Sequence, residues 1–139
     1  MKDTLPSLNI RTITRNGQTV QTASSLVFVT QEANHDYRRA EKFGELTFMT
    51  LTGRDDFNNI RGGENNRRMV AHLKHCLKDF DEERDFIVLT GSPYINAAVS
   101  MILGARRVKQ VQFLRWDNRD FVYIPLVIEL DQQETMSHG

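Results

Sequence analysis

The sequence predicts an α/β domain: a small Rossmann-like, mostly parallel sheet with an N-terminal β-hairpin and a C-terminal antiparallel hairpin. Three observations predict it. Short apolar runs at 26–30, 46–51 and 86–89 are rich in β-branched and aromatic residues and read as strands covered on both faces. Helical patterns alternate with these runs, which argues for parallel strands joined by right-handed crossovers. Two turn signals, Asn16-Gly17 near the start and Asp117-Asn-Arg-Asp120 near the end, each sit between strand-like flanks. An α+β sheet with the N-terminal hairpin paired onto the C-terminal one is the alternative. Residues 1–139 are expected to form one domain.

Residues 1–8 are expected to be loose. The hairpin at 9–23 follows, because Asn-Gly tolerates the positive φ of a type I′ turn. Its flanks are threonine-rich and poor in large apolar groups, so it reads as an edge or an arm. Strand 26–30 leads into a polar loop and a short helix at 37–43, closed by Gly44. Strand 46–51 is followed by a loop to Gly63, with Gly62-Gly63 as a hinge. The clearest helix spans 65–80. Met69, Leu73, Cys76, Leu77 and Phe80 fall on one stripe of it.

Residues 86–104 are the stretch around which the rest is organised. A buried strand runs through Thr90-Gly91-Ser92 into a helix with Ser92 as N-cap and Pro93 at its first position. Gly104 is expected to stop that helix in a left-handed conformation. A strand at 109–116 then turns into a long final strand at 121–130. Pro125 inside it marks an edge or a bulge. Residues 131–139 read as a polar tail.

Composition narrows the function. Lys and Arg number 18, as do Asp and Glu, so the formal charge is zero, which argues against a strongly basic nucleic-acid binder. The single cysteine, Cys76, excludes an intramolecular disulfide and favours a reducing compartment. No apolar run approaches a membrane span, and the first residues lack an apolar signal core. A soluble, cytoplasmic protein with no membrane association is therefore expected.

In an open α/β sheet, ligands bind beyond the carboxyl ends of the strands. That rule gathers the loops at 30–37, 52–56 and 90–96. The candidate ligand-binding residues are His35, Asp36, Arg54, Thr90, Gly91, Ser92 and Asn96, with Asn34 and Asp55 beside them. Backbone N–H groups at Thr90-Gly91-Ser92 face a positive helix end and suit a phosphate or carboxylate, with Arg54 as a second ligand. The plain alternative is a capped helix. No Gly-x-Gly-x-x-Gly and no Gly-x-x-x-x-Gly-Lys-Ser/Thr occurs, and no cofactor is expected. His35-Asp36 suits a base or a ribose contact, or simply a solvated loop with Asp36 as N-cap. His72, His75 and Cys76 share one helix without a further Cys or paired His, so no metal site is expected. Cys76 lies on the apolar stripe and reads as core. No catalytic residue is assigned, since no nucleophile–base–orienter set is legible. Arg61, Arg67, Arg68, Arg106, Arg107 and Lys109, with Trp116 and Tyr123 as stacking surfaces, keep nucleic-acid binding as a minor alternative.

The segments His35-Asp-Tyr-Arg-Arg-Ala-Glu-Lys-Phe-Gly-Glu-Leu46, Leu89-Thr-Gly-Ser-Pro-Tyr-Ile-Asn96 and Phe113-Leu-Arg-Trp-Asp117 resemble those of a group of small, uncharacterised bacteriophage-encoded proteins. The resemblance covers about 26–130 and leaves out the N-terminal hairpin. It implies a phage setting and the host cytoplasm, and it carries no established function.

Two functional expectations follow. The first is a small domain that binds a phosphorylated or nucleotide-like ligand at the C-terminal edge of its sheet. The second is an interaction module, a homo-oligomer or a binder of a host protein, acting through exposed strand edges.

Overall fold

A computed structural model describes residues 10–15 and 17–130. The loose start at 1–8, Asn16 of the Asn-Gly turn and the polar tail at 131–139 lie outside the described residues.

The chain opens with a hairpin, β1 (Arg11–Arg15) against β2 (Gln18–Thr22), antiparallel from Arg11↔Thr22 to Arg15↔Gln18. It forms its own two-stranded sheet, so it does not pair with the C-terminal hairpin. Threonines and glutamines keep most of it wet. Ile13 is the exception and is buried in the main core.

The main sheet has five strands: β3 (Leu26–Val29), β4 (Glu45–Phe48), β5 (Phe86–Val88), β6 (Gln110–Asp117) and β7 (Val122–Glu129). Their spatial order is β4-β3-β5-β6-β7. The pairs β3–β4, β3–β5 and β5–β6 are parallel, and β6–β7 is antiparallel. Counting from β3 this is 2-1-3-4-5, one of the common doubly wound orders. The mostly parallel sheet and both hairpins are thus as the sequence predicts. β7 is the edge, which accommodates Pro125 opposite Leu114.

Side-chain alternation gives the sheet two faces. Phe28 and Ile87 lie on one, beneath the two helices α1 (Glu64–Cys76) and α2 (Pro93–Ala105), with Leu73, Leu77, Ile95 and Val99 as the densest part of that core. Val27, Val29, Val88 and Leu114 lie on the other, against Tyr37, Ala40 and Tyr123.

The local differences from expectation have physical causes. Residues 38–43 form a tighter 3-10 helix, which fits a short crossover between neighbouring strands. β4 ends at Phe48, although Leu51 still bridges to Glu32. α1 stops at Cys76, while Leu77 and Phe80 continue the buried stripe through a turn. Gly104 is helical and does not terminate α2. Arg107 takes the left-handed conformation at φ 63°. Val108 N donates to Leu103 O and Arg107 N to Gly104 O, the paired bonds of a Schellman motif, with an arginine where glycine is usual.

Candidate functional site

The strand order reverses between β3 and β5, so the loops that leave these two strands diverge and leave a crevice at the carboxyl edge. Thr90, Gly91, Ser92 and Asn96 converge there, around two residues from the β3 loop. Thr30 is fully buried, and its Oγ1 lies 2.5 Å from Asn96 Oδ1 and accepts Thr90 N at 3.0 Å. Gln31 is also buried. Its Oε1 accepts Ser92 N at 2.7 Å, and its Nε2 donates to Asp55 O at 2.8 Å. Gly91 has φ 79°, and a Cβ there would come within 2.7 Å of Gln31 Cβ. The glycine therefore serves both the turn and the close approach of the Gln31 side chain.

Ser92 caps α2 as expected, with Oγ accepting Tyr94 N at 3.2 Å and Ile95 N at 3.4 Å. The same hydroxyl donates to Asp56 Oδ1 at 2.8 Å. The first donors of α2 are thus engaged within the chain, and a carboxylate already stands at the positive helix end. Arg54 is exposed and faces Asp55 at 3.4 Å, outside this cluster.

His35 and Asp36 part company. Asp36 is exposed and paired with Arg38 at 2.7 Å, and hydrogen bonds from Arg38 hold its carboxyl below the usual range. The His35 ring turns the other way. Its Nε2 lies 2.9 Å from Tyr123 Oη, and its ring meets Tyr37 and Trp116 edge-on at 4.9 and 5.0 Å. Trp116 stands directly across from Tyr123 in the β6–β7 ladder, with ring centroids 4.9 Å apart. Burial, with the neighbouring Tyr37 and Asp36 adding to it, pushes the Tyr123 phenol up to about 12. Tyr37 Oη joins this wall to the crevice, 3.2 Å from Thr90 Oγ1.

β5 pairs with β6 only as far as Ile87↔Phe113, so β6 overhangs it. A cavity of about 790 Å³ opens in the gap, bordered by Asn34, His35, Thr90, Arg115 and Trp116 over a largely apolar floor. The Arg115 guanidinium makes no ion pair or hydrogen bond among the described residues. The sequence reading missed Gln31, Tyr37 and Arg115, and saw Trp116 and Tyr123 only as stacking surfaces. The Trp-Asp turn after β6, at the same sheet edge, was the available signal.

Elsewhere, Cys76 is half-buried, with Sγ 3.4 Å from His72 Nε2, and burial raises its thiol to about 11. Among the described residues no group of three His, Cys, Asp or Glu could hold a metal ion, and no helix is long and apolar enough to cross a membrane.

Comparison with known proteins gives one family. The model of the Phage Pam3 gp32-like protein family matches residues 20–130, most of the chain including part of β2. No curated protein and no solved structure matches.

Proposed function

The chain belongs to the Phage Pam3 gp32-like protein family; with that phage setting as premise for the host cytoplasm alone, we propose from the site geometry that it binds a phosphorylated or nucleotide-like small molecule at the carboxyl edge of its sheet. The observation that carries this reading is the cavity of about 790 Å³ beside the strand-order reversal, a volume within the ~300–1,000 Å³ of small-molecule sites. Its composition suits a planar ligand with an anionic end. His35 and Trp116 present ring surface, Thr90 and Asn34 offer hydrogen bonds, and Arg115 supplies a cation that is unpaired among the described residues. Of the Thr90-Gly91-Ser92 cradle, Thr90 borders this site. An anion seated in the cradle itself would have to displace Gln31 and meet Asp56.

Trp116 is the sole tryptophan, so its fluorescence reports binding directly. Titration with AMP, ADP and ATP is expected to quench it saturably, with at least a tenfold loss of affinity in Arg115→Ala. Native mass spectrometry of freshly purified protein, followed by a denaturing run, would show any retained small molecule. No quenching by any nucleotide and no released mass would overturn the reading. Loss of binding confined to Ser92→Glu and Arg54→Ala would move the ligand to the α2 cradle.

A second reading has its own observation. Leu126, Val127, Ile128 and Leu130 are exposed in sequence along the edge strand, which favours a homo-oligomer or a host-protein contact.

A further inference from the structure

We propose that β7 pairs antiparallel with β7 of a second copy of this chain, about a two-fold axis at Ile128. This rests on the interaction reading, and its Leu126 and Ile128 also border the cavity of about 790 Å³. Backbone hydrogen bonds set which groups of β7 face outward. Leu130 N donates inward to Lys109 O at 2.8 Å. Antiparallel alternation then turns Ile128, Leu126, Ile124 and Val122 toward β6, and Tyr123, Pro125, Val127 and Glu129 outward. Pro125 sits among the outward positions, where its missing N–H breaks no bond of its own sheet. It also limits what can be added. A strand laid across the middle of β7 would find no donor at Pro125. The outward N–H groups beyond it belong to Val127 and Glu129.

A two-fold axis at Ile128 uses those two donors and avoids the proline. Val127 then faces Glu129 of the second copy in a hydrogen-bonded pair, and the reverse pair repeats it. Ile128 meets Ile128, and Leu126 meets Leu130, in the closer non-hydrogen-bonded pairs. An isologous contact sets the same segment against itself, so Leu126-Val-Ile-Glu-Leu130 brings three apolar pairs together about the axis and uses both outward donors of each copy. The apolar members are uncovered in one copy: Leu126 is 41%, Ile128 47% and Leu130 72% exposed. The edge lacks the lysines that natural edges use against pairing, and zero formal charge gives little repulsion between copies.

Light scattering coupled to size exclusion is expected to give twice 16.1 kDa. Val127→Pro removes an outward donor without touching the β6 ladder, and it is expected to give monomers with unchanged far-ultraviolet circular dichroism. In a Cys76→Ala background, Ile128→Cys is expected to form an intermolecular disulfide on mild oxidation, since Cα atoms of such a pair lie ~4.5 Å apart. Ile124→Cys is the control that does not cross-link. A monomer at all concentrations would overturn both the pairing and the homo-oligomer reading. An oligomer that survives Val127→Pro, or that cross-links at Ile124 and not at Ile128, would overturn the pairing alone.

Discussion

Arg11 and Asp85, which are 74 residues apart, form a two-pronged ion pair, with Nη1–Oδ1 at 2.6 Å and Nη2–Oδ2 at 2.8 Å. The carboxylate is fully buried and also accepts Leu26 N and Asp81 N, both at 2.8 Å. It therefore ties the hairpin arm, the start of β3 and the turn before β5 to one point.

Removing that point should be costly. Asp85→Ala leaves the guanidinium with the Asp79 carbonyl in place of its counter-charge and strands two backbone donors, and breaking a buried pair costs about 3–5 kcal/mol. Urea denaturation is expected to show that loss. Arg15→Ala, whose bridge to Glu45 is two-fifths exposed on both sides, is expected to cost under ~1 kcal/mol. Equal effects of the two substitutions would contradict this account.

Gly91→Ala should disturb the crevice. The added methyl meets Gln31 and imposes a left-handed φ on alanine, a conformation that costs about 1–2 kcal/mol before any clash. Amide exchange is expected to speed up at Ser92, whose N–H is held by Gln31. Protection unchanged at Ser92 would count against the packing described.

Arg107→Gly should stabilise. Glycine at the left-handed position of a Schellman motif relieves about 1 kcal/mol of strain and leaves both backbone bonds in place. A rise in Tm of roughly 3 °C is expected, on the scale set by domain size. A lower Tm would mean that the arginine side chain holds something the backbone does not.

The half-buried Cys76 thiol and the buried Tyr123 phenol give a signed pH dependence. Cys76 keeps its proton to about 11 in the native state, whereas an unfolded thiol loses it near ~8.5. Tyr123 behaves likewise, holding its proton to about 12 against an ordinary ~10. Between those values the native state binds more protons, so stability falls as pH rises. Urea midpoints are expected to hold steady below pH ~8.5 and to decline above it. Cys76→Ala should flatten the first part of the decline. Iodoacetamide should modify native Cys76 far more slowly than the unfolded chain at pH 8.

The fold was legible because its signals are local. Apolar runs mark β3 and β5, Ser92-Pro93 marks the start of α2, and Pro125 marks the edge. The site was legible only in outline. The sheet-edge rule brings Thr90, Gly91, Ser92 and Asn96 to the carboxyl edge of the sheet, yet nothing around Gln31 says that its amide will fill the crevice. Asp36 is adjacent to His35 in sequence, but the ring partner is Tyr123, 88 residues away. Gly104 misled for a related reason. A glycine permits a helix to stop, but Arg107 stops this one because Val108 must return to pack near Leu103.

The strand order also sets a folding itinerary. Both hairpins close over a few residues, so they can form within microseconds, on the ~1–10 μs scale of isolated hairpins. The centre of the sheet is different: Thr30 must find Val88 across 58 residues before β3 and β5 can pair. Loop-closure entropy is met at that step, and parallel pairing of this kind is slow. The chain should therefore fold with its ends first, while its middle sets the rate.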